Sequence, residues 1–286
     1  MLLPSVVLLV IFAYVPMYGI VIAFQRFIPA LGMFGRQKWI GLGNFDYLLN
    51  LPSVWQVLIN TVVIATLKIV IGTIVPITVS LLLNETNSSG FRRTVQTIIY
   101  FPYFLSWVVF GGILVDLLSP TEGIINRFIM GMGFESVFFL GDPSWFRGTL
   151  VFTEIWKTFG FSTVIYLAAI TSINPTLYEV ASIDGAGRFR KMWSITIPGM
   201  SMVIILMMVL HLGNILNAGF EQVFVLYSPL VYQTGDIIDT FVYRLGFLQA
   251  QYGVATAVGL FKGLISFVLI STSYYLAYRY FSYRLF

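Results

Sequence analysis

Six stretches of about 20 or more mostly apolar residues run through this 286-residue chain and limit the solvents in which it can fold. They cover residues 2–24, 57–83, 95–118, 149–173, 200–220 and 253–281. At about 1.5 Å per residue, a helix of about 20 residues crosses the ~30 Å hydrocarbon core of a bilayer. Strands of a membrane barrel would instead show short alternating segments. Only 10% of the residues are charged and 58% are hydrophobic. A soluble domain carries about 25% charged residues. The expected fold is therefore an all-α membrane protein of about six transmembrane helices, built as one domain over 1–286.

The first stretch has no basic segment before it and is too long for a cleaved signal. It starts almost at residue 1, so we expect the natural chain to carry a further N-terminal tail. With no cysteine, disulfides and thiolate metal sites are excluded. His211 is the only histidine, so a Ser-His-Asp arrangement would have to run through it; no catalytic residue and no metal ligand set is expected. The net charge of +4 comes from scattered residues, which argues against nucleic acid as a partner. No glycine-rich phosphate loop is present, so the chain is not expected to hydrolyse ATP. The basic residues instead report topology. Loops 84–94 and 174–199 and the tail after 278 hold Arg92, Arg93, Arg188, Arg190, Lys191, Arg279 and Arg284. The longer loops on the other side hold Arg26, Arg36, Lys38, Arg127, Arg147 and Arg244. The denser set is expected to face the cytoplasm, with both chain ends.

The loop 174–198 is too polar to span a membrane and is strongly punctuated. Asn174 followed by Pro175 predicts a helix start. The helix is expected to run to about Asp184, with a turn at Gly185, a second short helix, and Pro198 at the start of the fifth span. Apolar Leu177, Ala181, Met192, Trp193 and Ile195 mix with charged Glu179, Asp184, Arg188, Arg190 and Lys191. A partner outside the membrane can grip such an element; an amphipathic helix resting on the lipid surface is the other reading.

Glu179-Val180-Ala181, then Gly185, then Ile195 and Ile197-Pro198 follow a spacing that resembles the EAA loop of bacterial ABC importer permeases. Val180 replaces the usual second alanine and Ile197 the usual leucine. The resemblance extends in order through Trp39–Phe45, Asn60-Thr61, Phe91–Arg93 with Pro102 and Ser106, and Phe220–Pro229. The segment 236–244 is similar to permeases for complex saccharides, including oligosaccharides of uronic acids. The resemblance implies a type I importer permease fold in the bacterial inner membrane. It implies that Glu179, Ala181, Asp184, Gly185, Ala186, Arg188 and Met192 couple the chain to an ATPase. Glu179 would pair with a basic group there, Gly185 would permit the turn, and Ala181 and Ala186 would allow close packing. The implied partners are a second, homologous permease forming a heterodimer, two cytoplasmic ATPase subunits holding ATP and Mg, an extracytoplasmic solute-binding protein and a saccharide. No cofactor is expected on this chain itself.

Polar groups inside spans are costly and tend to face the bundle interior or water. His211, Asn214 and Asn217 are spaced by three, which predicts one helical face; Glu221 and Gln222 follow at the outer end. These five are the expected substrate pathway. Hydrogen bonding between helices is the alternative for the two asparagines and the preferred reading for His211. Glu154 and Lys157, three apart, are expected to pair, and Lys68 and Lys262 are expected to stand isolated. A self-sufficient transporter of a small polar solute would need inverted repeats and midplane carboxylates. Glu154 is the one clear acid within a span, and no repeat is evident. A membrane-embedded enzyme would need clustered His, Asp or Glu.

Overall fold

The structure is a computed structural model that describes residues 2–33, 35–213 and 215–281. The expected pathway residue Asn214 and the tail residue Arg284 lie outside these residues.

Among the described residues the regular structure is helical apart from one ribbon of two-residue strands. Helix α1 (Leu3–Phe24) is a 22-residue span. It passes from α-helix through a π turn at Val10–Tyr14 to a tight 3-10 stretch at Tyr18–Phe24. The π turn lies just ahead of Pro16, whose ring removes a donor from the ladder. Residues 2–18 are all exposed, as suits a helix with lipid for solvent. Strand β1 (Gln25–Arg26) pairs antiparallel with β2 (Lys38–Trp39), and the short α2 (Gly43–Leu49) follows. Asn44 ties α2 back to the end of α1 by donating to the carbonyls of Ala23 (2.8 Å) and Gln25 (3.0 Å).

Two long helices form the centre. Helix α3 (Pro52–Asn84) has 33 residues, and α7 (Pro143–Thr171) has 29 and packs along it. Each opens on proline at its first turn, where the missing donor costs nothing. Asp142 caps α7: its Oδ1 accepts from the Ser144 backbone N–H at 2.8 Å and from the Ser144 hydroxyl at 2.7 Å. These bonds hold the Asp142 carboxyl below the usual carboxylate range. Glu154, Lys157 and a run of threonines make α7 more polar than the other long helices. By length and apolarity alone the described residues hold four spans, or five counting one bent pair; α7, which carries Glu154 and Lys157, falls outside that count.

The bent pair departs from the straight span expected at 95–118. Helix α4 (Ser89–Phe104) and α5 (Trp107–Leu117) meet at 105°. Pro102 closes α4 in a 3-10 turn, and the Ser106 hydroxyl accepts from Val109 N–H at 3.2 Å to begin α5. A break followed by a cap forces the turn. Helix α6 (Ile124–Gly131) leads on to α7.

After α8 (Pro175–Ile183), helix α9 runs unbroken from Arg188 to Gly213. The sequence reading started this span at 200 because of Pro198. The structure carries the helix through it with a π turn at Met192–Thr196, which relieves the ladder next to the proline. Helix α9 is described to Gly213, and 215–219 are not helical, so the span stops short of the expected 220. Gly219 has φ +92°, a left-handed conformation that side chains resist, and it turns the chain into α10 (Phe220–Leu226). Helix α11 (Ile238–Tyr243) precedes α12 (Tyr252–Phe281), which packs on α9, α2 and the second half of α1.

Three apolar clusters fill the interior. One joins Ile64, Phe110, Phe146, Leu150 and Val223 where α3, α5, α7 and α10 meet. A second joins Val57, Ile238, Phe241 and Val258, where α3, α11 and α12 meet. The third holds Tyr166, Ile170 and Met200 between α7 and α9.

Candidate functional site

Two regions stand out: the loop at one end of the bundle and a polar cavity within it. In the loop, Asn174 caps α8 by accepting from Thr176 N–H at 3.0 Å. At the other end Gly185 takes φ +74°. Gly185 N–H donates to Ser182 O (3.1 Å) and Ala186 N–H to Ala181 O (2.8 Å). This pair of bonds is a Schellman closure, and it needs glycine at the left-handed position. The loop is then pinned by Lys191 Nζ on the Ser182 hydroxyl (2.6 Å) and by Tyr178 against Thr196 (3.0 Å). Arg188 reaches Glu85 at the end of α3 at 3.8 Å, but both side chains are largely exposed.

The loop's own atoms leave much of it uncovered. Ile183 is 86% exposed, and Leu177, Val180, Phe189 and Trp193 are more than half exposed. Glu179, Asp184 and Gly185 are exposed too, while Ala181, Ala186 and Met192 are half-buried. Among the described residues Glu179 has no ion-pair partner.

The cavity, of about 350 Å³, lies between α3, α7, α9 and the end of α4. Lys68, Glu154, Tyr103, Phe161, His211 and Asn217 line it. The rings of Tyr103 and Phe161 stack in parallel, 4.2 Å between centroids. His211 and Asn217 face the same space, although Asn217 lies past the end of α9 and not on the helical face expected for it. A larger groove of about 620 Å³ is lined almost throughout by apolar groups such as Leu114, Phe139 and Phe152; it carries none of this chemistry.

At the cavity wall and behind it the polar groups form a network. Lys68 is not isolated. Its Nζ donates to the Ala218 carbonyl freed by the helix break (2.7 Å) and to Gln222 Oε1, and lies 3.5 Å from Glu154 Oε2. Gln222 in turn donates to Leu150 O (2.7 Å) and the Thr153 hydroxyl (2.8 Å). Gln222 is fully buried, so it locks α10 to α3 and α7. Its neighbour Glu221 is exposed.

The expected pairing of Glu154 with Lys157 does not occur. The two side chains leave α7 in different directions, Glu154 towards α3 and Lys157 towards the bend. Lys157 Nζ donates to Tyr103 O at 2.9 Å and lies 5.4 and 5.5 Å from the ring centroids of Tyr103 and Trp107. Nor is Lys262 alone: it pairs with Asp239 at 2.5 Å.

A second buried network, missed in the sequence, holds the outer segments. Asn60 Nδ2 donates to the carbonyls of Gln233 and Asp236, both at 3.2 Å. Its Oδ1 accepts from Gln56 (3.0 Å) and Arg147 (2.6 Å). Asp236 pairs with Arg244, whose guanidinium lies 4.5 Å from the Tyr232 ring centroid. Tyr227, beside Tyr232, is raised to about 12 by burial and by the neighbouring Tyr232 and Asp236. The segment 236–244 singled out in the sequence is this clasp.

Residues 77–286 match the family described as binding-protein-dependent transport system inner membrane component. A Bacillus subtilis (strain 168) protein, the polygalacturonan/rhamnogalacturonan transport system permease protein YteP, is 42% identical over 280 residues, covering 98% of this chain and 87% of that one. The crystal structure of a bacterial ABC transporter involved in import of the acidic polysaccharide alginate contains a chain similar to this one. Its TM-score is 0.91 at 39% identity, with 98% of this chain and 94% of that one covered. A second structure of a bacterial alginate transporter, in complex with an alginate pentasaccharide-bound periplasmic protein, aligns with a TM-score of 0.90 at 38% identity, covering 98% and 93%. This chain therefore belongs to the family of binding-protein-dependent transport system inner membrane components, as a permease of the sugar-importing ABC transporters.

Proposed function

We propose that this permease forms half of the translocation path for an acidic oligosaccharide of the uronate type. The observation that carries the reading is the loop 174–198: a pre-organised helical turn whose large apolar side chains are left for another polypeptide. Two cytoplasmic ATPase subunits, holding ATP and Mg, take up this surface. Glu179 meets a basic group on the ATPase. Ala181 and Ala186 let the surfaces approach, and Asp184, Gly185, Arg188 and Met192 complete the contact. In this arrangement the loop and both chain ends face the cytoplasm.

A homologous second permease supplies the other half of the path, as a heterodimer. A solute-binding protein delivers the saccharide from outside. ATP binding draws the ATPases together, the loop follows, and α9 carries the movement to the cavity, which opens outward; hydrolysis resets it. Amides and stacked rings suit this cargo, since amides bond hydroxyls and rings cover the apolar face of a sugar. His211, Asn214, Asn217 and Glu221 complete the proposed pathway, and Gln222 holds its wall. The acidic saccharide is supported by relatives whose names specify polygalacturonan and alginate.

The test is ATPase activity of the assembled complex in lipid, measured with neutral and uronic oligosaccharides. Uronic oligosaccharides are expected to stimulate hydrolysis, and Glu179→Ala is expected to abolish the stimulation and release the ATPase. Stimulation that survives Glu179→Ala, with the ATPase retained, would sink the coupling assignment.

A further inference from the structure

The buried and half-buried cations of the bundle fall into two kinds. Lys68 lies beside Glu154, Lys262 beside Asp239 and Arg244 beside Asp236. Each brings its own carboxylate and adds no net charge to its surroundings. Lys157 differs. It is 7% exposed, and among the described residues no carboxylate lies within ion-pair distance of it. Its Nζ is held by the Tyr103 carbonyl, within the 3-10 turn that closes α4, and by the faces of Tyr103 and Trp107. Tyr103 is itself part of the cavity wall, stacked on Phe161. Lys157 Nζ therefore lies against a ring that lines the space a substrate would fill. Uncompensated charge within a span is expensive and usually serves function. A low dielectric also lets it act across a few ångströms.

We propose that Lys157 is a specificity-determining residue: from beside the Tyr103 ring its ammonium group favours a saccharide bearing carboxylates over the same saccharide without them. The saccharide keeps its hydroxyl and ring contacts in either case; the carboxylate alone senses the charge. Lys68 and Glu154 cancel at the wall, which leaves Lys157 to set its sign. This inference rests on the saccharide-import reading above.

The experiment uses the complete transporter in lipid nanodiscs: this chain, its partner permease, the ATPases and the binding protein. Half-saturation of stimulated ATPase is measured with a uronate oligosaccharide and with its carboxyl-reduced neutral analogue. Because the binding protein is the same throughout, a change in the ratio between variants belongs to the permease. Lys157→Met is expected to raise half-saturation for the acidic saccharide about tenfold and to leave the neutral one within about twofold. Lys157→Arg, which keeps the charge, is expected to restore the ratio. Glu154→Gln provides an independent arm should Lys157→Met fail to assemble. It leaves Lys68 uncompensated at the wall and is expected to lower half-saturation for the acidic saccharide only. A Lys157→Met complex that assembles and weakens both saccharides equally, or neither, overturns the proposal. So does an unchanged ratio in Glu154→Gln. A wild-type complex stimulated by neither saccharide overturns the import reading and this inference with it.

Discussion

The buried networks at α3, α7 and α10 and the loop between α7 and α9 solve opposite problems. In the networks nearly every bond joins residues far apart in sequence: Lys68 to Ala218 and Gln222, Gln222 to Leu150, Asn60 to Gln233 and Asp236. In the loop, apart from the exposed contact of Arg188 with Glu85, the bonds are local, and the large side chains are left outside. A polar group in a low-dielectric interior must find a partner or cost the fold several kcal/mol. The loop carries no such constraint, so it can keep its shape while keeping its surface free. One region is closed within this chain, and the other leaves its apolar surface open.

Substitutions can test how sharp that division is. The largest effect is expected at Asn60. Asn60→Leu removes four hydrogen bonds and leaves the Arg147 guanidinium without its side-chain partner. A loss of about 3–5 kcal/mol is expected, read as a lowered unfolding midpoint in detergent. A change below about 1 kcal/mol would mean that water replaces the network. Gln222→Leu comes next, at about 2–3 kcal/mol, because Lys68, Thr153 and the Leu150 carbonyl each lose a partner.

Gly185→Val should divide the two regions most clearly. Its left-handed φ costs a branched residue about 1–2 kcal/mol, confined to the loop. The unfolding midpoint is expected to shift little while stimulated ATPase activity of the complex falls about tenfold. Equal losses in both would show that the loop is part of the folding core. Smallest is Arg188→Ala: the exposed 3.8 Å contact with Glu85 is expected to contribute under about 0.5 kcal/mol and to vanish in high salt.

What could be read from the sequence follows the same division. The limits of α8, its cap and its turn were legible because Asn174, Pro175 and Gly185 act on their own neighbours. The spans were legible as long apolar runs. The 105° bend was not, although Pro102 and Ser106 are its visible signals, because a proline within a span often leaves only a mild kink. The start of α9 was misplaced because a π turn absorbed Pro198. The partners of Lys68, Lys157 and Lys262 were illegible. They depend on how each helix is rotated against others distant in sequence, and the i, i+3 spacing of Glu154 and Lys157 is overridden by those neighbours. Asn60, the hub of the outer network, had only its resemblance block as a signal.

One small residue carries a wider consequence. A β-carbon placed on Gly219 would come within 2.9 Å of the Lys68 ammonium nitrogen. The vacancy at 219 and the charge at 68 are thus a single lock seen from two helices. A methyl group there would displace the ammonium from the Ala218 carbonyl, and α3 would lose that tie to the turn leading into α10.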